Sequence, residues 1–198
     1  MYSLLIFDLD GTIYDSDNPI SKVINYKIKK YIMKIGKLSD SEYINLEKNV
    51  PDLMTALKKL KINKSQFYKT IYETIDYNKY FHKDFVLRNM LLNLKPIKII
   101  CTNSCKYHVK NVLFNLGIND LFYEIYCTDE FPDKRKIYEL VLKKYKILPE
   151  QICVIGDNYE VDLLPAEQLG FKTIYISQKG EIKCVYDAIE KITKKEIK

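Results

Sequence analysis

The chain has no Cys-x-x-Cys pair, and its five cysteines (Cys101, Cys105, Cys127, Cys153 and Cys184) are odd in number. Both features speak against a disulfide framework and against a thiolate zinc site. Three of the cysteines sit in apolar, strand-like runs, where cysteine acts as a small core residue. Cys105 falls at an expected helix start, a position that can lower a thiol pKa, with plain packing as the alternative. No stretch approaches the ~20 apolar residues needed to cross a bilayer. Asp8 and Asp10 interrupt the N-terminal apolar run too early for a secretory leader. No membrane partner is expected, and a reduced cytoplasmic compartment is the default. Beyond the charged tail at 194–198 there is no low-complexity segment, and no internal repeat is present.

What is present is the composition of an ordinary globular protein, 47% hydrophobic and 29% charged over 198 residues. That length holds one well-buried core with an elaboration, and falls short of two full-sized domains. The net charge of +6 comes from lysines spread through apparent helices, as in Lys58-Lys59, Lys143-Lys144 and Lys194-Lys195. A spread of this kind is a solvated face. Nucleic-acid binding needs a contiguous stripe with interleaved aromatics, so no nucleic acid is expected as a partner. A positive field favours small anions. The composition leaves monomer and homodimer open.

Apolar runs at residues 3–8, 97–102, 124–127, 151–155 and 172–176 read as buried strands. Between them, Val109, Val112, Leu113 and Leu116 fall on one helical face within 105–116, and Ile137, Leu140 and Val141 do so within 136–145. Strands alternating with helices of this length predict an α/β fold: a Rossmann-like parallel sheet of five main strands with helices on both faces. Residues 17–94 break the alternation. They carry amphipathic patterns without a convincing strand, punctuated by Pro19, Pro51 and the Ile62-Asn63-Lys64 step into four or five helices. The expected organisation is a core of 1–16 and 95–198 with an all-helical insertion at 17–94.

Three motifs carry chemistry. Phe7-Asp8-Leu9-Asp10-Gly11-Thr12 ends the first strand, and Gly11 permits a tight turn that lets both carboxylates reach one pocket. Crowded carboxylates repel unless a cation joins them, and Mg²⁺ favours such oxygen ligands. The alternative is a solvated hairpin turn. Thr102-Asn103-Ser104 follows the second strand and precedes a helix, where hydroxyl, amide and free N–H donors suit a phosphate. The same residue types are also ordinary helix caps. Gly156-Asp157-Asn158-Tyr159-Glu160-Val161-Asp162 follows the fourth strand and offers Asp157 and Asp162 to a cation, or merely acidic residues near a helix dipole. All three motifs fall at carboxyl ends of strands, which converge on one crevice in an open parallel sheet.

This order resembles the haloacid dehalogenase superfamily of phosphohydrolases over almost the whole chain. The resemblance implies Asp8 as covalent nucleophile and Asp10 as acid/base partner. It also implies Thr102 and Asn103 as phosphate ligands. Mg²⁺ would be held by Asp8, the Asp10 carbonyl and Asp157, with Asp162 in support. The family's lysine position holds Pro132, so Lys134 is the expected substitute and Lys136 the second choice. The insertion resembles the family's helical cap, which selects the leaving group.

Asp8 to Ser16 with Tyr14, Leu87-Arg88-Asn89-Met90-Leu91, Thr102-Asn103 through His108, and Leu116-Gly117-Ile118-Asn119-Asp120-Leu121-Phe122 resemble the pyrimidine 5′-nucleotidase branch. That branch's cap motif is replaced by Val50-Pro51-Asp52-Leu53-Met54-Thr55-Ala56, which lacks an arginine fork. The expected activity is Mg²⁺-dependent hydrolysis of small phosphate monoesters, nucleoside monophosphates first among them. The competing readings are a phosphomutase and a catalytically silent ligand-binding module; a dehalogenase would need only the first aspartate.

Overall fold

A computed structural model describes residues 1–50, 53–127, 130–131 and 133–196. Five parallel strands form one sheet in the order β3-β2-β1-β4-β5: β1 (Leu4–Phe7), β2 (Ile97–Thr102), β3 (Glu124–Cys127), β4 (Ile152–Gly156) and β5 (Lys172–Tyr175). Every residue of β1 is fully buried, as expected for a central strand covered on both faces. Leu4 is level with Ile97 on one side and Ile152 on the other, and Phe7 with Ile100 and Ile155. The expected α/β architecture is the observed one. The connections depart to either side of β1, so the carboxyl ends of β1, β2 and β4 border the crevice at the switch point.

The helices α6 (Lys106–Leu116), α7 (Lys134–Tyr145), α8 (Leu164–Glu167) and α9 (Val185–Glu196) follow the strands in sequence. Leu4, Ile6, Ile99 and Val154 form one core with Ile137, Tyr138 and Val141 of α7. Side chains alternate along a strand, so residue 8 continues the face that carries Leu4 and Ile6 and that α7 covers. The apolar spacing alone started α7 at residue 136, but it begins two residues earlier because Asp133 caps it, accepting from Lys136 N at 2.9 Å.

The chain separates into two compact units, one of Met1–Asn18 with Phe81–Lys198 and one of Pro19–Tyr80. The smaller unit contains α1 (Ile20–Gly36), α2 (Asp40–Lys48), α3 (Leu53–Lys59) and α4 (Lys64–Tyr72), and no strand among its described residues. Local chemistry sets its helix starts. Ser39 and Glu42 form a reciprocal capping box on α2, and Asn63 Oδ1 accepts from Gln66 N at 2.9 Å at the head of α4. Phe67, fully buried, packs edge-on against Tyr31 at 5.3 Å between ring centres.

The sequence pattern placed α5 (Phe85–Asn93) in the insertion, whereas its bonds run to the sheet-containing unit. Asp84 N donates to Leu116 O at 3.0 Å, the Tyr186 hydroxyl donates to Asp84, and Arg88 forks onto Asp120 at 2.6 and 2.7 Å while also donating to Gly117 O. Periodicity reports that a helix is amphipathic and is silent about which unit buries its apolar face.

Candidate active site

Asp8 is the first residue beyond β1 and is tied to the neighbouring strand β4 by Asp8 N donating to Ile155 O at 2.9 Å. One carboxylate oxygen each from Asp8, Asp157 and Asp162 lies within 4.8 Å of the others. Gly11 makes this possible. It adopts φ +79°, and a Cβ there would stand 2.2 Å from Asp157 Oδ2. Gly156 does the same for the third carboxylate, since its Cβ would lie 2.6 Å from Asp162 Oδ2. Beyond β4, the turn Tyr159–Leu163 is wound more loosely than an α-helix, with Leu164 N reaching Tyr159 O. Asn158 caps it by accepting from Val161 N, and its own N–H donates to Asp162 Oδ2 at 3.1 Å.

Lys134, the first residue of α7, is 3% exposed and places Nζ 2.6 Å from both Asp8 Oδ1 and Asp162 Oδ1. Lys136 is itself exposed and points elsewhere, to the half-buried Glu139 at 3.1 Å. Pro132, at the family's lysine position, lies outside the described residues, as do Pro51 and Asp52 of the segment compared with the nucleotidase cap. The hydroxyl of Tyr138 supports the cluster by donating to Asp162 O at 3.1 Å, a contact no sequence signal announced.

Two buried carboxylates and the half-buried Asp157 thus lie beside one ammonium. Burial pushes the Asp8 carboxyl well above its ordinary value, and Lys134 offsets this only in part because Asp162 and Asp10 add negative charge. Asp157 is raised too, by burial and then by Asp162. Burial works against the Lys134 charge, but Asp8, Cys101 and Asp162 outweigh it and hold the ammonium protonated. An all-oxygen set with surplus negative charge suits a hard divalent cation such as Mg²⁺.

The side chain of Asp10 joins a different cluster. Its Oδ2 accepts from Ser104 Oγ at 2.6 Å, with Thr102 Oγ1 at 3.4 Å. Its Oδ1 accepts from the Tyr14 hydroxyl and lies 3.0 Å from His108 Nε2. Burial would raise its pKa, but the bonds from His108, Ser104 and Tyr14 win and lower it to about 2. Thr102, fully buried, ends β2 and accepts from Ser104 N at 3.1 Å, while Asn103 is exposed between them. Asp8, Asp10, Thr102, Lys134, Asp157 and Asp162 are therefore linked in one contiguous region. The sequence pattern missed Tyr14, His108 and Ser104 as partners of Asp10. The four-residue spacing of Tyr14 from Asp10, closed here by an isolated bridge, was the available signal.

Residues 5–176 match the family model described as haloacid dehalogenase-like hydrolase. No curated protein matches the chain. Among solved structures, a HAD phosphatase from Thermococcus onnurineus superposes with a TM-score of 0.67 at 16% identity, covering 97% of this chain and 98% of that one. A predicted phosphoglycolate phosphatase from Haemophilus somnus gives 0.62 at 19% identity, with 97% and 98% covered. A putative beta-phosphoglucomutase from Thermotoga maritima gives 0.60 at 18% identity, with 98% and 99% covered. At such identities the structural likeness is one of fold. The family follows from the model match over most of the chain: this protein is a member of the haloacid dehalogenase-like hydrolases.

Proposed function

We propose that this protein is a Mg²⁺-dependent phosphatase of small phosphate monoesters that works through a phosphorylated Asp8. The observation that carries the reading is the buried Lys134 bridge between Asp8 and Asp162, with Asp157 beside it. That arrangement opposes the protonation that burial favours at Asp8 and supplies cationic charge where phosphoryl oxygens gather. A silent binding module has no use for three converging carboxylates.

Asp8, Asp157 and Asp162, together with the Asp10 carbonyl, would hold the Mg²⁺, which supplies neutralisation of phosphoryl oxygen charge when bound. A carboxylate oxygen of Asp8 attacks phosphorus, and the bond to the ester oxygen breaks with its electron pair leaving on that oxygen. Asp10 gives that oxygen a proton. Asp10 then takes a proton from water, the oxygen of that water attacks phosphorus, and the Asp8–phosphorus bond breaks to release phosphate. Asp10 ends protonated, as it began. The added charge of a bound phosphate raises its otherwise low proton affinity. Thr102 and Asn103 act as phosphate ligands at the end of β2, and Lys134 neutralises both Asp8 and the phosphoryl group.

The helical unit Pro19–Tyr80 is assigned the leaving-group selection of the family's caps. Nucleoside monophosphates lead the substrate classes, on the resemblance of residues 87–91 and 116–122 to the pyrimidine 5′-nucleotidase branch. The test is hydrolysis of p-nitrophenyl phosphate with Mg²⁺, with EDTA, and by Asp8→Asn. Turnover is expected only in the first case, with release of inorganic phosphate. Activity that survives both EDTA and the substitution contradicts the reading, and phosphate retained on a sugar product points to a mutase.

A further inference from the structure

Two of the side chains that reach Asp10, Tyr14 and His108, have no part in the mechanism above. They share one acceptor. The Tyr14 hydroxyl donates to Asp10 Oδ1, and His108 Nε2 stands 3.0 Å from that oxygen and 3.1 Å from the Tyr14 hydroxyl. An ionised carboxylate can only accept, so Nε2 carries a proton on this side of the ring. His108 is fully buried in α6, and Tyr14 is wedged edge-on against Phe81 at 4.9 Å between ring centres. The Asp10 side chain, by contrast, is 39% exposed. Two rigid buried donors therefore grip one oxygen of a carboxylate that is otherwise open to a substrate. The other oxygen, Oδ2, is bonded by Ser104, whose hydroxyl can rotate between donating and accepting.

We infer that Tyr14 and His108 are positioning residues for Asp10: they fix Oδ1 as the oxygen that never carries the acid proton and thereby aim Oδ2 at the ester oxygen. The inference rests on the acid/base reading of Asp10. In the first step the proton on Oδ2 moves to the ester oxygen as its bond to phosphorus breaks, and the Ser104 hydroxyl donates to the Oδ2 left behind. The carboxylate left behind is still held at Oδ1 by both buried donors. A purely architectural pair would stabilise the fold without caring how badly the leaving group needs a proton.

That difference is measurable with a series of substituted phenyl phosphates running from p-nitrophenyl to p-methoxyphenyl. Tyr14→Phe and His108→Leu should lower kcat by about 10- to 100-fold for the poorest leaving group, with losses under about 3-fold for p-nitrophenyl and KM within about 3-fold throughout. Their logarithmic plots of kcat against leaving-group acidity should be steeper than that of the native protein, in the direction of Asp10→Asn. His108→Gln, whose amide nitrogen reaches about as far as Nε2, should recover most of the loss. Equal losses across the series, a change confined to KM, or no loss in Tyr14→Phe would overturn the inference. If His108→Leu does not fold, Tyr14→Phe and His108→Gln decide the matter alone. Asp10→Asn run in parallel isolates the underlying reading: a native profile there removes the acid/base scheme, whereas a steepened profile there with a native Tyr14→Phe profile removes only the positioning role.

Discussion

Gly11 and Asp157 occupy adjoining space so tightly that a single methyl group on the first would stand 2.2 Å from a carboxylate oxygen of the second. The φ of +79° at Gly11 adds backbone strain to any side chain placed there. Gly11→Ala should therefore displace Asp157 from its neighbours Asp8 and Asp162 while leaving the sheet intact. The expected outcome is Mg²⁺ affinity weakened by about 10- to 100-fold, in proportion to the loss of a well-oriented ligand. Titration of Mg²⁺ against thermal unfolding measures it, with far-ultraviolet circular dichroism reporting that the fold persists.

Lys134 is the only cation among the described residues shown bonded to Asp8, and it is buried. Lys134→Met removes the positive charge and leaves Asp8 and Asp162 uncompensated. Breaking a buried pair by deleting one partner costs about 3–5 kcal/mol, an upper figure here because Asp8 can take up a proton. The metal-free variant should unfold at lower denaturant than the native protein. It should also gain more stability than the native protein from added Mg²⁺, since the cation then replaces the missing ammonium. Turnover should fall by about 100-fold or more, because a charge aimed at the phosphoryl group is lost. Denaturant unfolding with and without Mg²⁺ checks the first two expectations.

Much of this frame was legible in the amino-acid order. Continuous apolar runs bounded by polar residues gave the strands, because a parallel sheet buries both faces and leaves no alternation to confuse the pattern. The Asp8 and Asp157 motifs were readable because they sit immediately after such runs. The choice between Lys134 and Lys136 was not, since it depends on where α7 starts, and the Asp133 cap sets that start. The partnership of His108 with Asp10 was equally hidden. It joins residues 98 apart in sequence and depends on β2 lying beside β1. A periodicity argument sees His108 only as one more residue on the buried face of α6.

A surface feature gives a pH signature away from the candidate site. Glu124 at the start of β3 accepts from Lys144, from Tyr126 and, at 3.1 Å, from Tyr145. Burial tends to raise its pKa, but the bonds from Lys144, Tyr126 and Tyr145 prevail and lower it. A depressed carboxylate stabilises the fold above its unfolded pKa of about 4.3, and that contribution disappears as pH falls through the lower folded value. Solvent screening limits it to about 1 kcal/mol. The native protein should therefore exceed Glu124→Gln in melting temperature by a constant margin between about pH 5 and 7. The margin should shrink as pH falls below the unfolded value and Glu124 takes up its proton, the direction set by protonation of Glu124 alone. Parallel thermal melts across this range test the sign.

The account turns on covalent chemistry at one atom group, the carboxylate of Asp8. The most direct measurement is intact-mass and peptide-mapping spectrometry of protein quenched in acid during turnover of p-nitrophenyl phosphate with Mg²⁺. The account predicts one added phosphoryl group, located on the peptide bearing Asp8, removed by hydroxylamine and absent from Asp8→Asn. Steady turnover with no phosphoryl group on that peptide, or with the group on another residue, would contradict it.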